Sequence, residues 1–123
     1  MTQKYQAINF KDKFSKFNET WTPKILGQFD GYYLKAAKMN GEFVWHSHKD
    51  ADELFIVISG SLTIHFRDGE VNLSAGECFI VPHGKEHKPV AHGEVCCLLI
   101  EQAGVLNTGD QGGEKTVSDE EWI

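Results

Sequence analysis

From Lys24 onward, apolar and polar residues follow the two-residue period of extended chain. The runs are short and are broken by turn signals at Asp30-Gly31, Asn40-Gly41, Gly60, Asp68-Gly69, Ala75-Gly76 and His92-Gly93. Short strands punctuated at such intervals are the pattern of an all-β sandwich or barrel. The runs predict strands over Lys24 to Phe29, Tyr32 to Met39, Glu42 to His48, Glu53 to Ser59, Ser61 to Arg67, Glu70 to Leu73, Glu77 to Val81, His87 to Ala91 and Glu94 to Glu101. Asp30-Gly31 and Asn40-Gly41 tolerate positive φ at both central positions of a two-residue hairpin, so the first three strands are expected to form a meander.

Ahead of the strands, Ile8, Phe10, Phe14 and Phe17 suggest a short amphipathic helix before Trp21 and Pro23, its apolar stripe laid on the barrel. After Ala103 the chain is rich in Gly, Asn, Thr and Asp and reads as an ordered loop or arm. No internal repeat or linker interrupts the 123 residues, so one domain is expected. It divides into a helix and strand over 8–29, a barrel core over 30–102 and a C-terminal arm over 103–123.

Two runs, Leu54 to Ile58 and Val95 to Ile100, are apolar on both faces. A strand open to water on one side alternates instead, so their outward residues need cover. With Phe43 and Trp45 adding outward apolar positions, a homodimer joined sheet to sheet is expected.

Composition narrows the partners. A net charge of −6 with a single arginine, Arg67, argues against nucleic acid, whose phosphates are gripped by clustered Lys and Arg. Lys11, Lys13 and Lys16 do cluster, but with Asp12 among them they read as a solvated helix face. No run is apolar and long enough to span a bilayer, and the first ten residues lack the apolar stretch of a signal peptide, so the expected location is the cytoplasm. Cys78, Cys96 and Cys97 cannot pair off evenly, and adjacent strand positions point apart; reduced, partly buried thiols are expected.

The chemistry concentrates in WHSHKDADELF. His46 and His48, two apart on a strand, share one face at the separation that chelates one ion, and Glu53 returns a carboxylate from the neighbouring strand. A fourth ligand can come from His87 in GECFIVPHGKEH. An HxH pair alone arises readily by chance. Here it belongs to a longer spacing: four residues to Glu53, six more to Gly60, then Gly76, five residues, Pro82, Gly84 and His87.

These residues resemble the two cupin motifs, the first HxH, three or four residues, Glu, six residues, Gly, and the second Gly, five residues, PxGxxH. The resemblance implies a double-stranded β-helix, the jelly-roll barrel of cupins, binding one divalent transition metal through His46, His48, Glu53 and His87. Two departures touch no ligand: Gly41 lies one residue nearer His46 than the pattern has it, and Ala91 stands where the second motif ends in asparagine. KDADELF, LNTGD and SDEEWI are further similar to small bacterial cupins described as phosphomannose-isomerase-like.

Three imidazoles and a carboxylate suit Fe, Mn, Ni, Co or Zn, with one or two positions left for water or substrate. Glu42 shares the inward parity of Val44 and His46 and is a candidate general base. His83 lies in the loop that rims the mouth in the resembling family and is a candidate substrate contact. His65 is expected to face solvent, and His92 sits at a strand end. Tyr33, Phe55, Phe79 and Leu98 are expected to line the barrel. The function these features imply is a metal-dependent enzyme acting on a small oxygenated or sugar-like molecule, of isomerase or dioxygenase type. A phosphosugar would need a cationic clamp, for which Lys35 is available if it turns inward. Retention of Glu53 speaks against a thiol dioxygenase. The alternative is a non-catalytic, metal-dependent module that binds a small ligand.

Overall fold

The computed structural model describes residues 5–123, and its organising element is the last strand. A five-residue helix α1 (Phe10–Phe14) precedes β1 (Lys24–Phe29), β2 (Tyr32–Glu42), β3 (Glu53–Ser59), β4 (Ser61–Phe66), β5 (Gly69–Ser74), β6 (Cys78–Val81) and β7 (His87–Gln102). The sheet runs β1-β2-β7-β3-β6, with β4 pairing both β5 and β7. The C-terminal half of β7 pairs with β3 and its N-terminal half with β4, while β2 follows it along both halves. The pairings between these strands are antiparallel, the arrangement of a double-stranded β-helix.

The expected hairpin at Asn40-Gly41 does not form. β2 continues through it, and the register passes from Met39↔Val95 to Gly41↔Ala91, so Asn40 faces the three residues His92 to Glu94. Gly41 (φ 74°) and Gly93 (φ 83°) supply the left-handed conformation at this shared bulge. A bulge and a tight hairpin ask for the same residue types, and this is why the sequence signal suggested the wrong one. The two strands expected at His87 to Ala91 and Glu94 to Glu101 are accordingly one bent strand. The strand expected over Glu42 to His48 is mostly irregular: Glu42 ends β2, Phe43 N–H donates to the Pro89 carbonyl (2.9 Å), and the isolated bridge His46↔His87 follows.

Strand alternation divides the apolar residues into two cores. Inside the barrel, Phe55, Val57, Leu62, Ile64, Val81, Val95, Cys97 and Leu99 pack together. On the outer face, Phe14 and Phe17 cover Leu26, Ala36 and Leu98. Burying each phenylalanine contributes about 1.5–3 kcal/mol, which anchors a helix too short to be stable alone. Asn9 caps that helix by accepting from the Asp12 N–H. Ile8 and Phe10, expected on the same apolar stripe, are exposed, because five helical residues turn too little to lay all four side chains on the sheet.

Leu98 therefore points outward, not into the barrel as expected; in a run apolar on both faces the phase cannot be read from hydrophobicity. Tyr33 is also displaced from that lining, meeting the Trp122 ring edge-on at 5.4 Å. Phe79 packs with Phe66 against the interior core. Of the three thiols, Cys97 is buried, Cys96 half-buried and Cys78 exposed on the outer face, so Cys78 fills no gap.

Candidate metal centre

His46 and His87 meet as a cross-strand pair, each N–H bonded to the other's carbonyl (3.0 and 2.9 Å). The alternation that carries His46 inward carries His48 inward as well, and Glu53 enters from the first residue of β3. All four residues are buried, at 2% exposure for His46, 6% for His48, 4% for Glu53 and 0% for His87. Their donor atoms lie within 4.8 Å of one another.

The hydrogen bonds select which nitrogen is presented. The Nδ1–H of His46 donates to the Val44 carbonyl (2.8 Å), and that of His87 to the Lys85 carbonyl (2.9 Å). Each anchored ring keeps its Nε2 lone pair for the interior, as imidazole ligands require. His48 Nε2, His87 Nε2 and Glu53 Oε1 are buried without a hydrogen-bond partner. Glu53 Oε1 lies 3.4 Å from both of those nitrogens. Two donors about 2.1 Å from one ion at a tetrahedral angle stand about 3.4 Å apart, so the spacing fits shared ligation better than hydrogen bonding. Orphaned donors that converge in a dry interior fit a divalent cation.

The electrostatics agree. Burial pushes the His46 imidazole down to about 4, helped by neighbouring His87, so the ring is neutral at pH 7. Burial alone would raise the Glu53 carboxyl, but the imidazoles of His48 and His87 outweigh it and hold it below the usual carboxylate range. A neutral imidazole and an ionised carboxylate are the states a metal ligand needs.

Behind Glu53 lies a second buried cluster. The register Leu54↔Ile100 sets Glu53 beside Glu101 on the inner face. Glu101 Oε1 accepts from Lys35 Nζ at 2.8 Å, and Glu120, from the C-terminal arm, accepts from the same ammonium at 2.5 Å. Burial, with the neighbouring Glu53 charge, raises the Glu101 carboxyl well above its ordinary value. Burial would lower the Lys35 ammonium, but its two carboxylates raise it overall. Lys35 does turn inward, and it is fully engaged there.

A cavity borders His46, Glu53 and Glu101, walled by Met39, Phe43, Phe55 and Leu99. About 30 Å³ of it is open to the centre of a water-sized sphere, room for a water or two. Trp21 is the one lining residue that is not buried, and its indole stacks on Phe43 at 4.7 Å, which makes it the mouth.

The arm also grips the loop that carries His48. Ser47 N–H donates to Asp110 Oδ1 (2.9 Å), and Asp110 N–H donates to the Ser47 carbonyl (3.1 Å). Gly109 (φ 56°) packs so close that a Cβ there would run into the Ser47 carbonyl oxygen and reach 3.2 Å from His48 Nδ1.

The candidate base and the candidate substrate contact lie elsewhere. Glu42 is exposed and paired with Lys88 at 2.7 Å, because the irregular stretch between Phe43, which lines the cavity, and His46 breaks the parity that would have turned it inward. His83 is exposed and bonded to Asp52 at 3.0 Å, beside an outer groove with Tyr32 and Ile80. His65 is half-buried and faces Glu70 at 3.6 Å, and His92 bonds the Thr63 hydroxyl at 2.7 Å; neither approaches the four. Sequence reasoning missed Glu101, although a glutamate two residues beyond inward Leu99 shares its parity. It also missed Trp21, Asn107 and Gly109, whose roles depend on how the ends of the chain dock.

The chain belongs to the cupin family: a family model described as "Cupin domain" matches residues 36–101. It is 49% identical to a cupin-2 domain-containing protein from Shewanella frigidimarina, whose crystal structure superposes with a TM-score of 0.76 over 77% of this chain and 93% of that one. It is 32% identical over 96 residues to the uncharacterized protein YdbB of Bacillus subtilis, covering 77% of this chain and 79% of the other. The fold is shared with a hydroquinone 1,2-dioxygenase of a Sphingomonas species, at 14% identity and a TM-score of 0.68, over 79% of this chain and 74% of that one.

Proposed function

We propose that this protein is a metal-dependent enzyme acting on a small oxygen-bearing molecule, with oxidation by dioxygen favoured over isomerisation of a phosphosugar. The observation that carries this reading is the placement of His46 and Glu53, two of four converging ligands, on the wall of an apolar cavity. Fe, Mn, Ni, Co and Zn all suit the donor set. A bound divalent ion would supply Lewis-acid polarisation of a coordinated oxygen, and a redox-active one electron transfer as well.

The protein's own residues do the rest. Val44 and Lys85 fix the ring orientations of His46 and His87, Glu53 contributes the anionic donor, and Phe55, Leu99 and Phe43 keep bulk water out. Against a phosphosugar, the wall is mostly apolar, and Lys35, the inward cation, is taken by Glu101 and Glu120. The Sphingomonas dioxygenase supports the reading to the extent that the same fold carries that activity there. The non-catalytic alternative rests on the small cavity, which in this closed form admits little beyond water.

Under this proposal the active form is a homodimer, since Leu54, Ile56 and Ile100 are only half-buried and Ile80 is 59% exposed on one outer face. The proposal also places the protein in the cytoplasm. The three free thiols suit a reducing compartment, and no helix among the described residues is long and apolar enough to cross a membrane.

The test is elemental analysis of protein purified without chelators or a metal-affinity tag, followed by oxygen uptake and sugar isomerisation over a panel of small substrates. About one metal ion per chain is expected, with oxygen uptake that His48→Ala abolishes. Metal-dependent isomerisation without oxygen uptake would overturn the oxidative branch. Metal and ligand binding without turnover would favour the module, and protein that refuses all divalent cations would end the reading altogether.

A further inference from the structure

We infer that Trp21 is the gate of the buried cavity, a strained joint whose indole swings off Phe43 to open a path to the four-residue cluster; what passes it rests on the reading that the cluster holds a metal.

The closed geometry requires a gate. None of the four converging residues is more than 6% exposed, and the cavity beside them has room for a water or two. Most of the wall cannot move aside. Ala37, Met39, Phe55 and Leu99 are fixed in the ladders of β2, β3 and β7, so opening there would break the barrel. Pro23, Phe43 and Asn107 are buried. Trp21 is half-buried and lies on the short segment between buried Phe17 and β1, just after the exposed residues Asn18, Glu19 and Thr20. Phe17 anchors one end of that segment, and the fixed φ of Pro23 bounds the other.

The backbone of Trp21 is strained. Among the described residues only two that are not glycine adopt positive φ, and the other, Asp30, stands in a hairpin turn that aspartate tolerates. Trp21, at φ 58°, has a Cβ and no short polar side chain to bond its own backbone. Outside contacts hold it there. Its N–H donates to the Lys38 carbonyl (2.7 Å) and its indole Nε1–H to the Asn40 carbonyl (3.0 Å). Its ring stacks on Phe43 at 4.7 Å, and its carbonyl accepts from Asn107 Nδ2 at 3.4 Å.

Turning φ to the common negative range releases the strain and breaks these contacts. The two effects oppose each other, which brings the open and closed forms close in free energy, as a gate needs. Phe43 in turn meets the His46 ring edge-on at 5.3 Å, so the indole is one ring removed from the cluster.

The experiment follows zinc uptake and release by stopped flow against a chromophoric chelator in wild type, Trp21→Gly and Trp21→Phe, with the equilibrium affinity measured for each. Glycine accepts φ 58° and removes the indole, which leaves the mouth open. If the open form of wild type is populated at about 0.1–10%, uptake and release should both rise roughly 10- to 1,000-fold in Trp21→Gly, with their ratio unchanged. Trp21→Phe keeps a ring on Phe43 but loses the bond to the Asn40 carbonyl, and its rates should fall between. In metal-free wild type, NMR relaxation dispersion should show the Trp21 indole and the Phe43 amide sharing one exchange process that the β7 amides lack. Unchanged rates in both variants overturn the inference, as does faster release without faster uptake, which marks a merely structural role. Failure to take up zinc overturns the metal reading instead, and the dispersion then decides the gate: its absence at Trp21 ends the inference.

Discussion

At His46 a buried ring does two jobs, since its Nδ1–H is tied to Val44 and its Nε2 is kept for the interior. The folded ring takes a proton only near pH 4, against an ordinary value of 6.5. Between those values the unfolded chain binds the extra proton and the folded chain does not, so this residue makes stability fall as pH drops from 6.5 towards 4. The loss is on the order of 3 kcal/mol across that window. In chelator-treated protein, urea midpoints at pH 7 and pH 4.5 should therefore differ more for wild type than for His46→Gln, a comparison that cancels the opposite slope contributed by Glu101. The four converging positions were legible in the sequence because their spacing is short-range and their residue types are rare. Glu42 misled for a physical reason: the chain leaves regular strand between Phe43 and His46, and one such irregularity reverses every face assignment read across it. Glu101 was hidden at the end of an apolar run where its parity had no visible contrast.

The elements repeat this division. The turn signals located most strand ends correctly, for glycines and Asx residues report local backbone geometry. They could not say whether Asn40-Gly41 and His92-Gly93 reverse the chain or only bend it, because that depends on which strand lies opposite. The C-terminal arm carries no periodic pattern, and its contribution comes from single contacts: Glu120 on Lys35, Asp110 on Ser47, and Gly109 beneath the His48 loop. Gly109→Ala should therefore act on the metal site from outside it. The added methyl meets backbone, and φ 56° strains any side chain, so a cost of about 1–3 kcal/mol is expected. If the arm positions His48, zinc affinity measured by competition with a chromophoric chelator should fall at least ten-fold at a temperature where circular dichroism shows the barrel intact. Unchanged affinity would show that the loop holds its shape without the arm.

For the whole molecule, the decisive feature is the outer face of the sheet formed by β3, β6 and β7. The N-terminal segment covers Leu98 and packs against Ile56, but not against Leu54, Ile80 or Ile100. An apolar face of this kind is where a second copy would dock. Sedimentation at micromolar concentration should give a dimer, and Ile80→Lys, at a position 59% exposed, should give a monomer that stays folded. A wild-type monomer would show that the face is simply tolerated. The barrel class followed from periodicity, whereas the closing of its two ends did not, since those contacts join residues about a hundred positions apart, as between Ile25 and Trp122. That distance bears on how the molecule is made. On a ribosome the strands through Gln102 emerge before Gly109, Asp110 and Glu120, so the loop that carries His48 is translated early and clamped late. A nascent chain stalled between those points would own all four converging side chains yet lack the brace that sets one of them.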